Sequence, residues 1–481
     1  MMIIIRHFIA AILLSGSAIY AADPVPPMPV DREPNLVGTS WKMVNQPGQQ
    51  AWGVLLFKEG GEFVTTTGPR GKWKTINRWL LELEGDYAAR FTPGFERCVV
   101  TGKGGVSVGT GSPVPVGIQM PDHAGLAKAQ EEGMAMNQGM GSYPGVMQGR
   151  RAANRAVVIK MFRMKPATEQ AVLRGLEWLR DNQNGDGSWG DANKGAMTGF
   201  ALLCFLGHDE TGESARYGVT VSKAIQWMID RGTKSLGRMS MEPEFTQPGV
   251  YEHGIATFAL GEYFAMTRDE RVMELLKQAM TYIIDGQGQD GGWMYGYDKT
   301  QSDTSVSGWQ IQALKGAWLS KLDIPGLDRA LDRAMKNLER VKGPNGGYGY
   351  RRAEDRYSLT GVGIFCSLIW KGAGDQRKGI EWLLATTEKR GGVKYLGEYA
   401  DLYAWYYHTQ ACLLYGGSAW QKWNAWFQDE ITSAQSPDGS WPITGGKGHK
   451  ENDPTKTGQI YRTTLCTLML ESFYRYMPPN R

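Results

Sequence analysis

The chain has 481 residues, 42% of them hydrophobic and 21% charged, with a formal net charge of +4 at pH 7. That length supports two or more domains with buried cores, and the balance of apolar and charged residues is that of a folded protein. So small a positive charge, with no basic run interleaved with aromatics, excludes nucleic acid as an expected partner.

Met1 to Ala22 reads as a cleavable secretory leader. Arg6 and His7 precede the apolar run Phe8 to Leu14, and small residues lead to Ala21 and Ala22. The proline-rich linker 23–35 follows at once and cannot continue a helix. No later stretch is long and apolar enough to span a bilayer, so a secreted or periplasmic protein without a membrane span is expected. Of the five cysteines, Cys204, Cys366, Cys412 and Cys466 lie in apolar helical runs, and none of the five, Cys98 included, forms a C-x-x-C pair. Buried free thiols are expected rather than a disulfide framework.

Residues 36–165 have the texture of a small β-domain. Short runs such as Trp52 to Phe57, Glu62 to Thr67 and Trp79 to Glu84 alternate with Gly and Pro, which predicts a small antiparallel sheet or partial barrel. Gly38-Thr39-Ser40-Trp41 resembles the G-x-W opening of lipocalin-like sheets. A stretch at about 110–155, biased to Gly, Met, Ala and Gln, predicts a mobile low-complexity insertion. Ala156 to Met164 then reads as a returning last strand.

Over 166–481 the chain is helical and periodic. Amphipathic helices begin near Glu169, Gly218, Glu270, Leu327, Gln376 and Trp420. Between them lie apolar, nearly uncharged segments, the mark of buried helices: 197–206, 251–264, 304–317, 358–369, 402–414 and 460–474. Six helices of each kind in alternation predict a mainly α fold, an α6/α6 toroid with an inner and an outer ring.

The turns carry a repeat. Gln183-Asn-Gly-Asp-Gly-Ser-Trp189, Gln287-Gly-Gln-Asp-Gly-Gly-Trp293 and Gln435-Ser-Pro-Asp-Gly-Ser-Trp441 share Q-x-x-D-G-x-W. Gly343 to Tyr348 and Arg390 to Tyr395 are degenerate copies, and the copy near Gly232 is nearly unrecognisable. This pattern resembles the repeat of squalene cyclases and protein prenyltransferases, which implies a terpenoid-cyclase-like toroid. In that family the Gln side chain and the aromatic tie neighbouring helices together at one end of the barrel.

The chemistry of those families does not carry over. The cyclase D-x-D-D-T motif, laid on Thr300-Gln301-Ser302-Asp303-Thr304, puts Ser302 where the catalytic acid belongs, and an alcohol cannot protonate an alkene. The prenyltransferase zinc site would need a cysteine at Ser305 and a histidine at Ser358, and hydroxyls are poor zinc ligands. No metal and no cofactor are therefore expected.

What remains is a polar rim where the inner helices begin. Glu252, His253, Asp303, Ser305, Tyr357, Ser358, Asp401 and Tyr403 gather there, with His408 and Arg462 further along their helices. Converging helix N-termini give a positive field suited to an anion or carboxylate. The carboxylates of Glu252, Asp303 and Asp401 are expected to approach one another, with His253 protonated beside them. Asp303 and Asp401 also read as helix N-caps, and His253 as a satisfied buried histidine.

Two functions fit. One is a non-catalytic toroid that binds a hydrophobic small molecule or an exported protein or glycan. The other is an enzyme of altered chemistry: a polysaccharide lyase or hydrolase working through paired carboxylates, or a divergent terpenoid cyclase.

Overall fold

The computed structural model describes eight strand segments between residues 40 and 114, and residues 145–476 apart from 242–246, 371–373 and 448–450. The leader, the proline-rich linker and residues 115–144 of the insertion lie outside the described residues.

The strands run β1 (Ser40–Asn45), β2 (Val54–Lys58), β3 (Glu62–Thr65), β4 (Arg70–Asn77), β5 (Leu80–Leu83), β6 (Tyr87–Phe91), β7 (Cys98–Thr101) and β8 (Ser107–Val114). Each pairs antiparallel with the next, and β1 pairs with β8, so the sheet closes into a barrel. Sequence reasoning stopped short of closure because Gly109, Gly111 and Pro113 disguise β8 as a loop. Closure leaves no sheet edge exposed. Of the G-x-W motif, Ser40 and Trp41 open β1, while Gly38 and Thr39 lie outside the described residues.

The expected last strand is a helix. A 3-10 turn at Gly145–Arg150 leads into α1 (Ala152–Met161), which packs on the last helix of the chain. The β-branched run Val157-Val158-Ile159 suggested a strand, but tertiary docking overrides that preference. Arg155 donates to the carbonyl oxygens of Arg150 and His208, both at 2.7 Å, and Val158 is buried.

Twelve helices follow, outer and inner in turn. The outer ones are α2 (Pro166–Asp181), α4 (Gly218–Lys234), α6 (Glu270–Asp285), α8 (Leu327–Val341), α10 (Arg377–Lys389) and α12 (Gly417–Ser433). The inner ones are α3 (Lys194–Gly207), α5 (Gln247–Thr267), α7 (Thr304–Leu319), α9 (Tyr357–Leu368), α11 (Leu402–Tyr415) and α13 (Lys456–Arg475). Each inner helix packs on the next, and α13 packs back on α3, which closes an α6/α6 toroid.

Inner neighbours touch at like depths. Gly254 on α5 faces Gln310 on α7, and Gly261 faces Gly316 nearer their C-termini. All six inner helices are therefore parallel, and their N-termini share one mouth. A Cβ at Gly261 would lie 3.0 Å from the backbone of Gly316, so glycine lets these two helices approach backbone to backbone.

The repeat is a three-way joint. Gln183, Gln287 and Gln435 each donate from Nε2 to two carbonyls at 2.8–2.9 Å, one in their own turn and one on the next outer helix (Thr220, Ala330 and Ala171). Trp189, Trp293 and Trp441 donate their indole N–H back to the preceding outer helix, at Leu179, Ile283 and Ile431, over 2.7–2.8 Å. The backbone N–H of each tryptophan is taken by a hydroxyl of the following inner helix: Thr198, Ser307 or Thr463. Because Gln435 reaches Ala171 on α2, the last joint fastens the end of the ring to its beginning.

The hidden copies keep parts of the joint with other residues. Tyr348 donates its backbone N–H to Thr360 at 3.2 Å and its phenol to Gln376 at 2.8 Å. In the copy near Gly232, Gly237 holds the left-handed turn (φ 93°) against Gln278 on α6, and the buried Met239 stands in for the aromatic.

Candidate functional site at the mouth of the toroid

Asp303 ends the turn that begins at Trp293, and its own backbone N–H is held by the Trp293 carbonyl at 2.8 Å. It caps α7, with Oδ1 accepting from the backbone N–H groups of Ser305 (2.6 Å) and Val306 (3.3 Å). The residue is fully buried; its second oxygen, Oδ2, completes no well-formed hydrogen bond, although the Tyr295 and Tyr350 hydroxyls come close enough to feel the carboxylate as a hydrogen-bond acceptor. Among the described residues no Lys or Arg forms an ion pair with it.

Tyrosines surround this carboxylate. Tyr251, Tyr295, Tyr350, Tyr403 and Tyr461 are each half-buried. The hydroxyls of Tyr295 and Tyr350 meet at 2.8 Å, Tyr251 bonds the Ser305 hydroxyl, and Tyr403 donates to the Ser305 carbonyl at 3.5 Å. Burial raises the Tyr251 and Tyr403 phenols well above their usual range, and the negative charge of Asp303 adds to it in both. Burial raises Tyr295 and Tyr350 as well, the hydrogen bond with Tyr350 adds to it at Tyr295, and hydrogen bonding to and the charge of Asp303 add to it at both. These tyrosines thus stay protonated and present both a ring face and an O–H.

Beside them, the start of α11 binds two acids. Asp401 accepts from the Ala404 N–H at 2.9 Å, and Glu451 accepts from Leu402 and Tyr403 at 3.1 and 3.5 Å. Burial, then the Glu451 charge, push the half-buried Asp401 up to about 6, against the pull of its own N–H bond and of Arg390. The positive end of α11 is thus already met by two of the chain's own carboxylates, and that of α7 by Asp303. The mouth is therefore not the anion site that bare helix N-termini would make.

The other rim residues hold the fold. His253 is fully buried: its Nδ1 accepts from the Met239 N–H at 3.1 Å and its Nε2 donates to the Ala279 carbonyl at 2.9 Å. It is the α5 counterpart of the Thr198, Ser307 and Thr463 hydroxyls in the other joints. Burial lowers it to about 4, so it is neutral and does not stand protonated beside the acids. Glu252 accepts from the Met241 N–H at 3.0 Å, on the same connecting loop as Met239, and is not brought to Asp303.

Tyr357 donates to or accepts from Thr387 on α10 at 3.0 Å, and Arg390 lies 3.9 Å over its ring. Ser358 is half-buried in the first turn of α9. His408 donates from Nε2 to the Tyr357 carbonyl at 2.9 Å and is lowered to about 3 by burial. Arg462 holds the loop before α13, donating to the carbonyls of Trp441, Glu451 and Asp453 at 2.7–3.2 Å. Sequence reasoning missed Tyr295, Tyr350 and Glu451 because they lie in the turns, outside both helix patterns.

Below the mouth the axis is packed. Helices α7 and α11 are separated by α9 in the ring, so contacts between them cross the lumen. Trp309 on α7 stacks on Tyr406 of α11 with centroids 5.6 Å apart, and Phe200 of α3 meets Trp309 edge-on at 5.2 Å. Gln312 of α7 donates to the Tyr407 hydroxyl at 2.9 Å. Deeper still, Arg150 enters from the far end and donates to Glu262 (3.0 Å), the Leu206 carbonyl (3.3 Å) and the Arg475 carbonyl (2.8 Å). Arg475 of α13 and Glu262 of α5 lie 3.5 Å apart, across the axis. The mouth at the helix N-termini, above this packed axis, presents the partly exposed rings of Tyr251, Tyr295, Tyr350, Tyr403 and Tyr461.

No family model matches the chain, and no curated protein matches it in sequence. Among solved structures it is similar to a variant of an α-1,6-mannanase of Salegentibacter sp. HEL1_6 bound to α-1,6-mannotriose, at 10% identity over 63% of this chain and 99% of that one, TM-score 0.46. It is similar to the type II terpene cyclase MstE from Scytonema at 13% identity over 64% and 98%, TM-score 0.43. It is also similar to cellobiose 2-epimerase from Spirochaeta thermophila at 13% identity over 66% and 98%, TM-score 0.46. Among the described residues no group of three His, Cys, Asp or Glu is placed to hold a metal, and no helix is long and apolar enough to cross a membrane.

Proposed function

We propose that this protein is an exported binding toroid that takes a small amphipathic molecule, or the end of a chain-like partner, at the tyrosine-lined mouth. The observation that carries this reading is the contrast along the axis. The lumen is occupied by Phe200, Trp309, Tyr406 and Tyr407, all buried, whereas Tyr251, Tyr295, Tyr350, Tyr403 and Tyr461 above them keep exposed surface. Tyrosine suits such a surface because it offers broad contact area and a hydrogen bond at little entropic cost. A ligand therefore rests on the mouth and does not enter a deep apolar chamber. The test is native mass spectrometry of the full chain from its own compartment, beside a Tyr403→Ala variant with an unchanged melting curve. A retained mass that is lost in the variant supports the reading; a mass retained equally by both overturns it.

A second reading is favoured by the carboxylate pair beside α11. A carboxyl raised to about 6 next to a second acid has the profile of a general acid working with a base, as glycoside cleavage requires. Asp401→Asn tests it: loss of a glycan-cleaving activity with the fold intact supports an enzyme, and no activity from wild type on mannan- or glucan-type oligosaccharides overturns it.

A further inference from the structure

We infer that the mouth selects ligands bearing an organic cation, an alkylammonium head whose charge is read by Asp303 and whose methyl groups pack on Tyr251, Tyr403 and Tyr461. This deepens the binding role proposed above and rests on it. The first observation is the Asp303 carboxylate, fully buried, with phenol hydroxyls of Tyr295 and Tyr350 beside it but no ion pair among the described residues. A buried charge without a counter-charge is costly, and a cation brought near it recovers part of that cost.

The second observation is how the mouth already treats cations. Arg351 and Arg356 lie 5.1 and 5.5 Å over the Tyr350 ring, and Arg390 lies 3.9 Å over Tyr357. Tyr251 and Tyr403, which bond Ser305 close to Asp303, and Tyr461 at the start of α13 carry no such cation among the described residues. Tyr251 and Tyr403 both bond Ser305, two residues from Asp303, whose negative charge adds to the raising of both phenols by burial, and the charges of Glu451 and Asp401 do the same at Tyr461. Ring faces backed by a carboxylate attract ammonium groups more strongly than neutral ones of the same shape. The other acids beside these rings, Asp401 and Glu451, are engaged by backbone N–H groups at the start of α11.

The experiment compares choline with its neutral isostere 3,3-dimethylbutan-1-ol, by titration calorimetry on the full chain at low salt. Choline is expected to bind at least tenfold more tightly, and Asp303→Asn to abolish that preference while leaving melting within a degree, since Asn caps a helix about as well as Asp. Equal binding of the two probes overturns the cation inference and leaves the mouth as an apolar site. Choline binding that is unchanged in Tyr251→Ala or Tyr403→Ala overturns both the inference and the mouth itself. Failure of choline to bind at millimolar concentration overturns the inference, with the retained-ligand measurement still deciding the binding role.

Discussion

Gln287→Ala cuts one of the joints that hold the rings together, and its effect follows from the geometry. The side chain donates to the carbonyls of Gly291 and Ala330, each at 2.8 Å and in a buried setting. Alanine leaves both acceptors without that donor, a loss of roughly 1–1.5 kcal/mol for each bond, or about 2–3 kcal/mol together. The toroid from α2 to α13 spans roughly 310 residues, for which the unfolding entropy near 60 °C is about 0.65 kcal/mol/K. The melting temperature should therefore fall by about 3–5 °C. Thermal circular dichroism at 222 nm on the full chain measures it, with Gln226→Ala as the control, because the exposed Gln226 bonds only Asp230 on its own helix. A shift equal to that of the control refutes the idea that the recurring geometry of these joints carries stability.

Further outcomes follow from other residues. Gly291 has φ 89° and an added Cβ would collide with the Arg333 carbonyl, so Gly291→Ala should lower stability by at least about 1–3 kcal/mol. Gly185→Ala, with nothing within 4 Å of the new carbon, should be close to neutral, and equal effects in urea titration would contradict the account. His253 and His408, lowered to about 4 and about 3, give stability that is complete above their unfolded value near 6.5 and is lost as pH falls below it. Asp401, raised to about 6, works the other way between about pH 4 and 6, so the net loss should be roughly 1.4 kcal/mol per pH unit there. Stability that is flat from pH 6 to 4.5 would count against this. Lys315, packed 3.8 Å from the Trp318 ring and lowered to about 8 by burial, should be acylated ahead of the surface lysines at pH 8. Peptide mapping that finds it among the slowest would contradict that.

Much of the fold was legible because the repeat writes its geometry into residue types. Glycine is demanded at the left-handed turn, tryptophan fills the space behind it, and glutamine spans two helices; where all three persist, the joint is readable. At Gly237 only the glycine remains, and Met239 packs in the aromatic's place without its hydrogen bond. His253 misled for a related reason. A ring nitrogen replaces the hydroxyl that other joints use, so a packing residue looks like chemistry. The barrel's closing strand was hidden by its glycines, and α1 by three β-branched residues that tertiary contacts force into a helix. The mouth was partly legible, since Asp303, Ser305, Asp401 and Tyr403 sit at helix starts. Tyr295, Tyr350 and Glu451 come from irregular turns that carry no period to read.

The central claim is that ligand contact occurs at the mouth and not along the packed axis. The direct measurement is ligand retention in two variants of the full chain, Tyr251→Ala/Tyr403→Ala at the mouth and Tyr406→Phe on the axis. Tyr406 gives up its hydrogen bond of 3.3 Å to Gln312 in the second variant but keeps its ring stacked on Trp309. Native mass spectra should show the retained mass gone from the mouth variant and present in the axis variant, with both chains folded. Loss from the axis variant with retention in the mouth variant would contradict the account.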